Sequence, residues 1–124
     1  MPGVHLRHVH IHVDDVTTAR QWYMDVLGMR VVHELADVLV ILAGEGECQL
    51  GLEGGPPVSE PERVHLIFRV SDVDAKCEEL KGRGVAVLRD PADEPYGHRV
   101  AILRDPVGHT IEIYTPLLGS RSYD

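Results

Sequence analysis

The chain has 124 residues, 44% of them hydrophobic, which suffices for one domain with a real core and falls short of two ordinary ones. Its 12 Lys and Arg against 20 Asp and Glu give a net charge of −8, a field that repels polyanions, and no basic cluster in the sequence offsets it; nucleic acid is excluded as a partner. No apolar run approaches the roughly 20 residues that span a bilayer, and MPGVHLRHVH lacks the hydrophobic stretch of a signal peptide, so the expectation is a cytoplasmic protein with no membrane partner.

The first element is a strand in RHVHIHVDD, residues 7–15. Strand side chains alternate between faces, so His8, His10 and His12 share one face while Val9, Ile11 and Val13 take the other. Asp14 or Asp15 then caps a helix whose apolar positions Ala19, Tyr23, Val26 and Leu27 follow the 3.6-residue period, with Gly28 just past its end. Trp22 is expected at the helix edge or at a subunit contact. Three short strands follow at Met29–Leu35, Val38–Ala43 and Glu47–Leu52. The Gly- and Pro-rich run EGGPPVSEPER, Glu53 to Arg63, reads as a linker or surface loop.

The pattern then repeats. Residues 65–73, HLIFRVSDV, reproduce residues 8–16, HVHIHVDDV, at a constant offset of 65 − 8 = 57, keeping a His, a Val, an Asp and a final Val in the same places. Asp72 caps a second helix with the stripe Val73, Cys77 and Leu80, ending at Gly82 to Gly84. Strands are expected at Val85–Arg89, Arg99–Leu103 and Thr110–Tyr114. The reading is α+β, two βαβββ modules in tandem within a single domain 1–124: module one over about 4–53, a linker over 54–63 and module two over about 64–116. Neither module is expected to stand alone, because a sheet of about four strands with one helix leaves a face uncovered. Cys48 and Cys77, placed in a strand and a helix without CxxC spacing, are expected to be buried reduced thiols.

His8 and His65 occupy the same place in the two repeats, and two imidazoles on separate rigid strands make a good start for a metal site. Glu112, flanked by Ile111 and Ile113 in HTIEIYTP, points away from the face that buries those two. A carboxylate in an apolar strand is costly unless solvated, paired or metal-bound. Two His and one carboxylate with open positions suit non-haem Fe(II), and also Mn, Ni or Zn in Lewis-acid chemistry. His109 in DPVGH is accounted for by turn geometry, and His33 and His98 have no evident partner. HxH also occurs in cupins, but VDDVTTARQ offers no strand Glu to complete that pattern. No GxSxG, Cys–His pair or phosphate loop competes.

With HVHIHVDDV followed by WYMDVLGM, HLIFRVSDVD followed by ELKGRGV, and RDPVGHTIEIYTP, nearly the whole chain resembles the vicinal oxygen chelate superfamily, the group of glyoxalase I, fosfomycin and bleomycin resistance proteins and extradiol dioxygenases. The resemblance implies a cup-shaped, incompletely closed mixed β barrel with the helices outside. It implies a divalent metal (Fe, Mn, Ni or Zn) held by His8, His65 and Glu112, with a fourth-ligand place falling on Gln49 or, two residues on, Gly51. It implies a small-molecule substrate, with His10 or Glu53 moving the proton, and a homodimer with sites at or near the subunit interface. The reaction would be that of an isomerase, a lyase or a ring-cleaving dioxygenase; the alternative is a bleomycin-resistance-type binding protein without catalysis. Arg121, nine residues past Glu112, matches in spacing an arginine that binds phosphonate in fosfomycin-modifying relatives, whereas Ile102 stands where those have a tyrosine.

Overall fold

The computed structural model describes residues 3–119; Arg121 lies outside them. The chain divides into two compact units, Met1–Ser59 and Glu60–Asp124, each one βαβββ module.

In module one, β1 (His8–Val13) leads into α1 (Val16–Leu27), followed by β2 (Arg30–Leu35), β3 (Leu39–Ala43) and β4 (Gln49–Gly54). The sheet order is β1-β4-β3-β2, with β1 parallel to β4 and the other pairs antiparallel. Asp15 supplies the N-cap of α1: its carboxylate accepts from the Thr18 backbone N–H at 3.0 Å and from the Thr18 hydroxyl at 2.8 Å. Gly28, at φ +68°, turns the chain out of the helix and donates to the Met24 carbonyl, a left-handed conformation that favours glycine. Val16, Ala19, Tyr23 and Val26 are buried against one sheet face, where Val13, Leu42 and Leu52 are fully covered. Each such leucine contributes about 1.5–3 kcal/mol of burial free energy.

Module two repeats the plan with β5 (His65–Arg69), α2 (Val73–Gly82), β6 (Arg89–Asp93), β7 (His98–Arg104) and β8 (Thr110–Pro116), in the order β5-β8-β7-β6. Asp72 caps α2 by accepting from the Ala75 N–H at 3.0 Å. Val73, Cys77 and Leu80 pack under Leu103, Ile111 and Ile113. Neither sheet closes on itself, so each leaves the face opposite its helix open. The two four-stranded mixed sheets, one helix to each, are the α+β tandem expected.

Three local expectations need correction. The strand expected at Val85–Arg89 instead begins at Arg89, because Val85 is drawn into the helix end by its N–H bond to the Leu80 carbonyl; Pro91, in the middle of β6, is tolerated on an edge strand at a register shift. Cys48 precedes β4 and is exposed, while Cys77 is buried as expected and burial pushes its thiol up from the ordinary value. The segment Glu53 to Arg63 is not loop throughout: β4 runs on to Gly54, and Pro61–Arg63 forms a short 3-10 turn, with Pro at its start, that delivers the chain to His65. No helix among the described residues is long and apolar enough to cross a membrane.

Candidate functional site

The open face of the first sheet is built of three rows, because register partners on neighbouring strands point the same way. One runs His8, Gln49, Ala43, Arg30; the next His10, Gly51, Ile41, His33; the third His12, Glu53, Leu39, Leu35. Alternation thus places all three histidines of β1 on this face, while Ile11 and Val13 are buried on the helix side.

The three histidines have different neighbours. His10 is seated over Gly51, and a Cβ built there would fall 2.7 Å from its Cγ and Nε2 atoms. Its Nδ1 meets Oε1 of Glu53 at 2.5 Å, and the His12 Nε2 lies 3.4 Å from the other Glu53 oxygen. The His10 hydrogen bond, helped by His12, holds the Glu53 carboxyl below the ordinary carboxylate value. With Nδ1 engaged, His10 retains Nε2 for other work. His8 makes an edge contact with the His10 ring at 6.0 Å between centroids and is otherwise exposed.

In module two, His65 and Glu112 lie on adjacent parallel strands, and the His65 Nδ1 is 2.8 Å from Oε2 of Glu112. Glu112 is 16% exposed in its side chain and His65 52%, so the carboxylate is recessed and the imidazole stands at the opening. Ile111 and Ile113 are fully buried on the opposite face, as the alternation requires. This contact leaves Nε2 of His65 and Oε1 of Glu112 uncommitted.

Register settles which residue of module one corresponds to Glu112. His8 pairs with Gln49 and His10 with Gly51; the repeat partners His65 and Ile67 pair with Thr110 and Glu112. Gly51 is therefore the counterpart of Glu112, and Gln49 that of Thr110. Gly51 brings no side-chain donor to that register place, and its space is taken by the His10 ring.

The remaining histidines play other parts. His109 is buried and its Nδ1 lies 2.6 Å from Asp105, whose second oxygen accepts the N–H groups of Val107, Gly108 and His109. That pair ties the DPVGH turn together, so more than turn geometry is at work. His98 stacks on Tyr114 at 4.0 Å between centroids, and His33 lies exposed on the open face of module one. Tyr23 is core, and Trp22 meets it edge-on at 4.9 Å from a half-exposed position.

Imidazole nitrogens and a carboxylate oxygen form a donor set that suits Fe, Mn, Ni or Zn, and His65 with Glu112 presents two of its members side by side. Among the described residues no group of three or more His, Cys, Asp or Glu donors is gathered as a metal cage.

The family model for the Glyoxalase/Bleomycin resistance protein/Dioxygenase superfamily matches residues 5–113, spanning both repeats and all three residues of the expected ligand set. The chain belongs to this superfamily. The solved structure of TnmS3, an antibiotic binding protein from Streptomyces sp. CB03234, is 30% identical with a TM-score of 0.80, over 94% of this chain and 98% of that one. A lactoylglutathione lyase from Agrobacterium tumefaciens aligns over 93% of this chain and 96% of its own at a TM-score of 0.75; at 22% identity that likeness shows the fold. A superfamily protein from Nocardioides, 19% identical with a TM-score of 0.78, covers 100% of this chain and 91% of its own and adds the same. Comparison with curated proteins finds no match. The fold is thus shared by a lactoylglutathione lyase and by an antibiotic binding protein.

Proposed function

We propose that the chain is a metal-dependent superfamily enzyme whose divalent cation is held by His8, His65 and Glu112. The observation that carries the reading is the His65–Glu112 pair: a recessed carboxylate within 2.8 Å of an imidazole, with His8 at the repeat position of that imidazole. The cation, Fe, Mn, Ni or Zn, would supply Lewis acidity toward adjacent oxygens of a small substrate. His10 moves a proton through Nε2 while Glu53 orients the ring through Nδ1, a carboxylate–imidazole arrangement that fixes the tautomer. Gln49 is left out of this ligand set because Gly51, rather than Gln49, is the register counterpart of Glu112. The reaction is an isomerisation, a lyase step or an oxygen-dependent ring cleavage. The functional unit is a cytoplasmic homodimer whose sites lie at or near the subunit interface.

A second reading, a bleomycin-resistance-type binder without catalysis, is favoured by one observation, the 30% identity to an antibiotic binding protein. The acidic chain suits a cationic ligand. The two readings part in one experiment. Protein reconstituted with Ni or Zn is offered a hemithioacetal, and protein reconstituted with Fe is offered catechol and oxygen. Turnover that stops in His8→Ala supports the enzyme, whereas bleomycin binding of unchanged affinity in chelator, with no turnover, supports the binder.

A further inference from the structure

The open face of module one carries a feature the ligand set does not use. Beside His8 lies a cavity of about 380 Å³, lined by His5, Arg7, Arg30, Ala43, Gly46, Glu47 and Gln49, and within the roughly 300–1,000 Å³ usual for small-molecule sites. Its floor is the first row of the sheet. Ala43 is 2% exposed and short, so the row dips between Gln49 on one side and Arg30 on the other.

The charges here run against the rest of the chain. Carboxylates outnumber cations 20 to 12, and Arg20, Lys81, Arg89 and Arg99 each reach one. Among the described residues neither Arg7 nor Arg30 is ion-paired, and both line this one cavity, with His5 beside them and Glu47 as the only acid. The Arg30 side chain is held in place, and Arg7 is fixed through its backbone. The Arg30 guanidinium donates to the Gly44 carbonyl at 2.8 Å, which fixes one nitrogen and leaves its other donors, while the Arg7 carbonyl accepts from the Gln49 N–H at 2.8 Å. The anchored Arg30 guanidinium, the exposed Arg7 side chain and the neutral Gln49 amide put donors around one cavity that an oxyanion can take, since arginine matches carboxylates and phosphates with two parallel hydrogen bonds.

We infer that this cavity is an anion site that takes a carboxylate, phosphate or phosphonate group of the substrate. The inference rests on the proposed function in one respect, that the substrate's other end lies at His8. His8 and Arg30 stand in one row three strand spacings apart, about 14 Å between backbones, part of which the arginine side chain spans. The substrate class is then a small anionic molecule with its coordinating oxygens at one end and an acidic group at the other. Gln49 serves that acidic group as an amide donor.

The test uses metal-free full-length protein, with inorganic phosphate and malonate as separate probes followed by ¹⁵N–¹H NMR. Saturable shifts of the Gly44–Gln49 amides and of the Arg7 and Arg30 Nε–H signals are expected. The Arg7→Gln/Arg30→Gln double variant should weaken binding on the order of tenfold or more, while His8→Ala leaves it unchanged. Phosphate tighter than malonate assigns a phosphoryl or phosphonyl group, and the reverse a carboxylate. Equal affinity in wild type and double variant, or shifts that never saturate, overturns the site. Metal uptake measured on the same proteins separates the two claims. A double variant that keeps metal but loses phosphate upholds both, and a wild type that binds phosphate but no metal leaves the anion site standing while removing the enzyme reading.

Discussion

The His10 ring lies over Gly51 in the place where the counterpart residue of module two, Glu112, carries its carboxylate. The repeat therefore gives the two modules different equipment at the same register. Module two offers a carboxylate, and module one offers an imidazole pinned by Glu53.

Gly51→Ala tests that seat. The three atoms nearest the added Cβ all belong to the His10 side chain, which can rotate away, so the fold should survive with little loss of stability. The His10–Glu53 hydrogen bond should break, read as a changed tautomer and chemical shift of the His10 nitrogens. Unchanged nitrogen shifts would place the ring elsewhere.

Glu53→Gln carries a pH signature. The carboxyl is held below its ordinary value of 4.5 by the His10 hydrogen bond, so its contribution to stability is present above that value and is lost as pH falls through the lower folded value. The wild type should be more stable than the variant at pH 6 to 7, and the difference should shrink to nothing well below pH 4.5. Denaturant midpoints at the two ends of that range decide it, and a constant offset would contradict the linkage.

Asp105→Ala should be the costliest of these changes. It removes the acceptor of three backbone N–H groups and leaves the buried His109 without its carboxylate, a loss of about 3–5 kcal/mol in urea unfolding. Asp72→Ala removes the acceptor for the Ala75 N–H, an N-cap loss of about 1 kcal/mol. Equal costs would mean that the DPVGH turn is not held as described.

Much of this was legible because strand alternation and the 57-residue repeat are local signals. They place His8, His10 and His12 on one face and Glu112 opposite Ile111 and Ile113, and they locate both helix caps. What stayed hidden depends on pairing. Whether Gln49 or Gly51 matches Glu112 turns on register, a slip of two residues that keeps the same sheet face and that composition does not mark. The start of β6 was displaced by the N–H bond of Val85 to the helix end and by Pro91 at an edge. The basic cavity was missed because Arg7 and Arg30 are distant in sequence and meet only through the order β1-β4-β3-β2; two arginines at the mouths of strands in an acidic chain were the available sign.

The central claim, a cation held by His8, His65 and Glu112, is tested most directly by metal content. Wild type and the His8→Ala, His65→Ala and Glu112→Ala variants would be purified without chelator or nickel affinity resin and measured by plasma mass spectrometry. About one Fe, Mn, Ni or Zn per chain in the wild type, lost in all three folded variants, is the predicted result. No metal in the wild type after reconstitution, or full metal retained by any one variant, would contradict it.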